Sequence, residues 1–173
     1  MPPSRHGPNR LIDYLATHDT VMGKFVGNGF VCQDSLELQF MPMAIRMRGE
    51  ISCLGDVVIA VNKTLKVVEP SDYDPVVQTL VYSYNASVRG FCNFLRHDNV
   101  HSHPGHPDAH HRHEYDWRTN QELCPPIWCG EEKWPTLGRF IEMAQGWYWE
   151  HHAELPEPDR CALIGVRGAS PTA

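Results

Sequence analysis

Histidine is concentrated in one stretch of this chain. Residues 96–116 hold seven of the eleven histidines, in the motif RHDN at 96–99, a following loop and the motif HHRH at 110–113. A neutral imidazole can act as a general base or a metal ligand, and a protonated imidazole can act as a general acid. This density of imidazoles beside arginine and carboxylate side chains predicts that the stretch is the functional centre.

An extended conformation over residues 109–117 would bring two of these imidazoles together. Successive side chains of a strand point to opposite faces. His111 and His113 would therefore share one face, while Arg112, Glu114 and Asp116 would lie on the other. The motif predicts a small site that contains both histidines.

General acid–base catalysis is the first chemistry that fits these residues. RNA cleavage by its own 2′-hydroxyl group needs one group that takes a proton and one that returns it. We assign these roles to His111 and His113. Arg96 and Arg112 would bind the phosphate, and Asp98 would orient an imidazole. This chemistry requires no cofactor.

Metal binding is the second chemistry. A His-x-His pair on a strand can supply two nitrogen ligands to a divalent ion such as zinc. His111 and His113 would be that pair, and His101, His103 or Asp98 would complete the ligand set. The third interpretation is a solvated histidine-rich loop that binds metal only incidentally. The residues alone leave all three open.

The elements around the histidines predict an α+β fold. Apolar and β-branched runs predict strands over residues 24–31, 36–47, 50–60, 64–68, 76–85 and 87–96. Turn-forming residues separate these runs at 27–29, 48–49, 70–72 and 85–86. Short connections favour antiparallel neighbours. We expect a mainly antiparallel sheet of about five to six strands, with the site where the last predicted strand ends.

Two helices are expected beside this sheet. Residues 10–17 predict a short N-terminal helix, and residues 134–136 (WPT) open a second helix that ends near His152. The second helix has an apolar stripe formed by Leu137, Phe140, Ile141, Ala144, Trp147 and Tyr148. We expect the stripe to cover the sheet. Residues 1–9 would be flexible, residues 10–155 a single domain, and residues 156–173 a peripheral proline-rich tail.

Composition narrows the class of protein. A chain of 173 residues can form one domain with its own core. A net charge of −6 argues against a protein that coats nucleic acid. No long apolar run or signal-peptide core occurs, so we expect a cytoplasmic protein without membrane contact. The six cysteines contain no CxxC pair and would be free thiols in that compartment.

With these motifs in view, the chain resembles the TumE-like toxin family of bacterial toxin–antitoxin systems. The family pattern is an aromatic strand, an Arg-x-Asp-Asn element, a variable loop and His-His-x-His. Residues 81–84, 96–99 and 110–113 match it, and the helix start at 134–137 follows. The resemblance covers about residues 36–152.

This resemblance implies a toxin that acts on RNA and is neutralised by a small DNA-binding antitoxin. We therefore expect a toxin-like, metal-independent ribonuclease, and place Asn99 with Arg96 and Arg112 among the substrate-binding residues. The alternative is a non-catalytic module that binds a metal or a partner protein through the same segment.

Overall fold

The predicted α+β class is confirmed by the computed structural model, which describes residues 6–102, 104–106, 108–130 and 132–164. In chain order the elements are β1 (Asn9–Arg10), α1 (Leu11–Gly27), β2 (Val31–Asp34), β3 (Glu37–Met41), β4 (Ala44–Cys53), β5 (Val57–Glu69), β6 (Val76–Val88), β7 (Asn93–Asp98), β8 (His111–Glu114), β9 (Ile127–Trp128) and α2 (Leu137–His151). A 3₁₀ turn over His152–Glu154 follows α2.

Nine strands among the described residues form one antiparallel sheet. Their order is β2-β4-β5-β6-β7-β8-β9, with β3 also paired to β4 and β1 to β6. This is more than the predicted five to six strands. Three of the additional strands, β1, β2 and β9, have only two to four residues, which is too short for an alternating pattern to be recognised.

The two longest strands, β5 and β6, lie at the centre of the sheet. Each has 13 residues, and they pair from Val57 with Val88 to Glu69 with Val76. Buried residues alternate with more exposed ones along most of both strands. Because a half-buried strand has this period, one face of the central pair is available to the helices.

Both helices pack against this face. Phe25 of α1 and Phe140 of α2 belong to the same buried cluster as Ile59 of β5 and Tyr84 of β6. The α2 stripe is as predicted, since five of its six residues are buried and Trp147 is partly buried. The side chain of Thr136 caps α2 by accepting the backbone N–H of Arg139 at 3.3 Å.

The first helix is longer than predicted. It runs to Gly27 rather than ending at Thr17, so the strand expected over residues 24–31 begins only at Val31. Met22 and Phe25 are buried, and their spacing of three places them on one helix face. The helix ends at the predicted turn, where Gly29 has a φ of +80°.

Several predicted strand boundaries are wrong. The run 36–47 is divided by a turn at residues 42–43, and the run 50–60 by a turn at 55–56. Residues 85–86 lie inside β6, and the chain reverses after Val88, where Gly90 has a φ of +80°. Within the strand, Nδ2 of Asn85 donates to Oδ1 of Asn93 at 2.8 Å.

Gly49 was predicted in a turn but lies within β4. A Cβ atom at this position would overlap the backbone carbonyl group of Ser35. Glycine is therefore needed for the close approach of the β2–β3 connection. A glycine in the sequence does not distinguish a turn from a close approach of two backbone segments, because both favour this residue.

The described part of the C-terminal tail packs against the sheet rather than lying at the periphery. Cys161 forms a disulfide with Cys32, and Arg160 makes an ion pair with the carboxylate of Asp56. Ala162 is buried. The prediction that all six cysteines are free is therefore wrong for this pair. A separation of 129 residues gives no local signal of pairing.

Part of the predicted flexible N-terminus is ordered against the domain. The ring of His6 stacks on Trp134 with centroids 3.4 Å apart, and Asn9 pairs with Val77 in the sheet. Residues 1–5 and 165–173 lie outside the described residues. No helix in the described part of the chain has the length and apolar character needed to span a membrane.

Replacing Phe140 with alanine tests the packing of α2 against the sheet. The ring is fully buried, so Phe140→Ala should lower the free energy of unfolding by about 3–5 kcal/mol, the usual cost of deleting a buried ring. Trp149→Ala is the matched control, since Trp149 is on the same helix and 62% exposed. It should change stability by about 0.5 kcal/mol or less. If urea denaturation gave the same loss of unfolding free energy for Phe140→Ala and Trp149→Ala, the assigned buried face of α2 would be wrong.

Reduction tests the disulfide. The Cys32–Cys161 bond closes a loop of 129 residues. The chain-entropy model predicts that a bond across a loop of that length stabilises the folded protein by about 4–5 kcal/mol. The melting temperature should fall in excess reductant. The double variant Cys32→Ser, Cys161→Ser should melt lower from the outset and respond no further to reductant. An unchanged melting temperature of the parent protein on reduction would contradict the pairing.

Candidate functional site

Four predicted site residues lie on one face of β7 and β8. The antiparallel register pairs Arg96 with His113 and Asp98 with His111. Directly opposite residues of paired strands project to the same face, and Arg96 and Asp98 are two residues apart. The rings of His111 and His113 have centroids 4.8 Å apart, which confirms that they share a face.

Three of these side chains form a group of candidate metal ligands. One ligand atom from each of Asp98, His111 and His113 lies within 4.8 Å of the other two. The side chains of Asp98 and His111 are 0% and 1% exposed, whereas that of His113 is 15% exposed. The group is therefore mostly inside the protein, with His113 on the side toward solvent.

The ring of His111 is oriented by the backbone. Its Nδ1–H donates to the carbonyl oxygen of Ala109 at 2.8 Å, and its Nε2 lies 3.7 Å from Oδ1 of Asp98. That separation exceeds the length of a direct hydrogen bond. Two ligands of a tetrahedral zinc ion with bonds of about 2.1 Å would be about 3.4 Å apart. The two atoms are thus spaced nearly as metal ligands are.

The carboxylate of Asp98 is held through both oxygens. Oδ2 accepts a hydrogen bond from Nε of Arg96 at 2.7 Å, and Oδ1 accepts one from the backbone N–H of Val100 at 3.1 Å. The guanidinium group, about one third exposed, compensates the charge of a carboxylate that has no contact with water. Asp98 lies beside His111, but no direct hydrogen bond joins the two side chains, so the prediction that Asp98 orients an imidazole stays a prediction.

A carboxylate that sequence analysis missed orients His113. Nδ1–H of His113 donates to Oε1 of Glu122 at 2.5 Å, which leaves Nε2 of the ring for a ligand or a proton. Glu122 reaches this position because Tyr115 and Glu122 form an isolated β-bridge across the turn between them. The side chain of Asp116 accepts backbone N–H groups of that turn. A separation of 9 residues with a turn between them gives no local sequence pattern that predicts the contact of His113 with Glu122.

The two predicted phosphate-binding arginines are not together. Arg112 lies opposite His97 on the other face of the strands, and its Nη2 is 2.9 Å from Oε1 of Glu114. Arg96 alone accompanies the histidine pair. The prediction that both guanidinium groups contact one phosphate is corrected by this alternation of faces.

Asn99 joins two strands rather than facing the ligand group. Its Oδ1 accepts the backbone N–H of Tyr82 at 2.8 Å, and its Nδ2 donates to the carbonyl oxygen of Leu80 at 3.0 Å. These bonds continue the pairing of β7 with β6 beyond Asp98. The amide is thereby engaged in holding the strand that carries Asp98.

His97 belongs to the core side of the sheet. It is 3% exposed, and its ring contacts Phe140 of α2 edge-on. Burial, and secondly the positive charge of Arg112, lowers the pKa of His97 to about 3. The ring is therefore neutral at ordinary pH and packs as an aromatic side chain.

The other histidines of the segment are outside the ligand group. Among the described residues, the group contains neither the exposed His101 nor His106, whose ring stacks on Trp128 at 3.8 Å. His110 stacks on Trp134 and Tyr82. His103, an alternative predicted ligand, lies outside the described residues. The segment thus combines one compact ligand group with histidines that serve aromatic packing.

Compared with protein-family models, curated proteins and solved structures, the chain gives no significant match. The resemblance to the TumE-like toxins therefore stays a prediction.

Proposed function

We propose that this protein binds one divalent transition-metal ion, with zinc as the preferred ion, through Asp98, His111 and His113. The observation that carries the proposal is the convergence of their ligand atoms within 4.8 Å. Two imidazole nitrogens and one carboxylate oxygen form a ligand set typical of catalytic zinc sites, which keep a fourth position for water or substrate.

The surroundings of the three side chains support the same assignment. Histidine ligands of metals usually donate their second ring N–H to a carbonyl or carboxylate group. His111 donates to Ala109 and His113 to Glu122, so each ring directs Nε2 away from its anchoring group. The three ligand atoms lie within 4.8 Å of one another, compared with about 3.4 Å expected between ligands of a tetrahedral zinc ion, so metal binding would draw these side chains closer together.

Burial favours metal binding over the predicted acid–base pair. A general acid or base must come within hydrogen-bond distance of the reacting group. The side chain of His111 is 1% exposed, so a nucleic-acid substrate has little access to it. A metal ligand, in contrast, needs no contact with the substrate. A bound ion could act as a Lewis acid or activate water, and Arg96 would attract an anionic group beside it.

The metal content of the full chain, purified without a tag, tests this proposal. We expect one zinc ion per chain after titration of the chelator-treated protein. His111→Ala should abolish stoichiometric binding, and Glu122→Gln should weaken it by about 10- to 100-fold, the usual effect of removing an outer-shell partner. The free metal concentration can be set with a competing chelator, and circular dichroism checks that each variant folds.

His101→Ala is the matched control, because it removes an exposed imidazole from the same segment outside the ligand group. It should retain one ion per chain. If His101→Ala and His111→Ala lost the same amount of bound zinc, the metal would be bound incidentally by a histidine-rich loop. Failure of the folded parent protein to bind zinc or a related ion would reject the metal site.

A toxin-like ribonuclease is the second candidate function. Its support is the family resemblance together with the accessible part of the site, where His113 is 2.5 Å from Glu122 and opposite Arg96. An imidazole backed by a carboxylate is suited to taking a proton, and Arg96 could bind a phosphate group. In this candidate His113 is the accessible acid–base group, and Asp98 fixes Arg96 through a hydrogen bond to its Nε.

RNA cleavage by the purified protein, with and without chelator, tests this second candidate. If His113 transfers the proton, His113→Ala should lower the cleavage rate by about 10²- to 10⁴-fold while His101→Ala leaves it unchanged. Cleavage that persists in chelator would favour the metal-independent mechanism, and cleavage restored only by zinc would unite the two candidates. Full toxicity of the His111→Ala, His113→Ala double variant in a bacterial host would exclude the segment from the activity.

The toxin candidate includes a cytoplasmic location and an antitoxin partner. Cytoplasmic thiols are kept reduced, so Cys32 and Cys161 would be a dithiol in that compartment and form their bond on oxidation. Alkylation of the protein in intact cells, followed by mass measurement, distinguishes the two states. The partner would be encoded by the neighbouring gene and would suppress RNA degradation when co-expressed.

A further inference from the structure

A cleft of about 570 Å³ lies on the other face of β7 and β8 from the ligand group. Leu95 and Glu114, which pair across the two strands, line it. The remaining lining comes from Phe94 of β7, the turn region after β8, the second half of α2 and Glu154 of the 3₁₀ turn. Because side chains alternate along each strand, this cleft and the candidate metal site are separate.

The floor of the cleft is apolar. Trp147 of α2 stacks on Phe94 with ring centroids 3.7 Å apart and contacts Trp117 edge-on. Leu123 stands at the border with 65% of its surface exposed. Rigid aromatic groups next to an exposed aliphatic side chain are typical of the surfaces that anchor peptide side chains.

The border of the cleft is acidic. Its described lining carries the carboxylates of Glu114, Asp116, Glu150 and Glu154, the guanidinium group of Arg118 and the imidazole of His151. Glu114 is paired with Arg112 and Glu154 with Arg118, which leaves Asp116 and Glu150 as the carboxylates that make no ion pair with a described residue. Backbone N–H groups that donate to Asp116 lower the pKa of its carboxyl group, so this residue remains charged. The cleft therefore selects against anionic ligands and favours cationic ones.

Arg118 is a cation that the border already holds. Its guanidinium carbon lies 4.4 Å from the centroid of the Trp117 ring, and its Nη2 lies 3.0 Å from Oε2 of Glu154. A guanidinium group between an aromatic face and a carboxylate gains both cation–π and charge-assisted contacts. Glu150, on the same border, is exposed and makes no ion pair with any described residue.

We propose that this cleft binds an amphipathic basic peptide segment, with aliphatic side chains against Leu123 and Trp147 and an arginine or lysine paired with Glu150. The acidic border supplies the charge complementarity, and the apolar floor supplies the area that a purely ionic contact would lack. The proposal is independent of the metal site, since no residue of the ligand group lines the cleft.

Binding of a short blocked peptide of alternating arginine and leucine to the full chain tests the proposal. We expect saturable binding of one peptide per chain by calorimetry, weakened by added salt, and no binding of the counterpart with glutamate in place of arginine. Glu150→Gln should weaken binding by about 2- to 5-fold, as expected for an exposed ion pair, and Leu123→Ser should weaken it further.

Glu37→Gln is the control, because it makes the same charge change at an exposed position on β3, away from the cleft. It should leave the affinity unchanged, which separates local recognition from attraction by the net charge of −6. Equal effects of Glu37→Gln and Glu150→Gln would overturn the proposal. So would self-association, measured by sedimentation, that is abolished by Leu123→Ser, since a second copy would then occupy the cleft.

Discussion

The antiparallel pairing of β5 with β6 is the interaction on which the rest of the structure depends. Their long shared register fixes which side chains face the helices, and the phenylalanines of α1 and α2 pack on that face. A shift of one residue would turn every side chain to the opposite face. Since β7 pairs with β6 and β8 with β7, the same alternation decides which residues of the histidine segment meet.

That alternation explains why the site contains part of the predicted constellation. His111 and His113 were expected on one face from their spacing alone, and the structure places them there. Arg112 was assigned to the same substrate although the same rule puts it on the opposite face, where it pairs with Glu114. A guanidinium group suits a phosphate by its chemistry, but a residue between two histidines of a strand projects away from both of them.

Local patterns predicted the sheet, the second helix and the central histidines, and failed where distant residues decide. Thr136 and the stripe that includes Phe140 specify α2 within a short stretch. Glu122 at the site and the Cys32–Cys161 bond depend on contacts made only in the folded chain. The length of α1 was missed for a related reason, since burial of Phe25 on the sheet overrides its neighbours' β-propensity.

The disulfide also changes the covalent topology of the molecule. It makes residues 32–161 a closed ring that contains both strands of the ligand group, the histidine-rich loop and all of α2. A single cut of the backbone anywhere in this ring opens it without releasing a fragment. While the bond is intact, a protease that nicks the loop between β7 and β8 therefore leaves one covalent molecule. Its two pieces separate only after reduction.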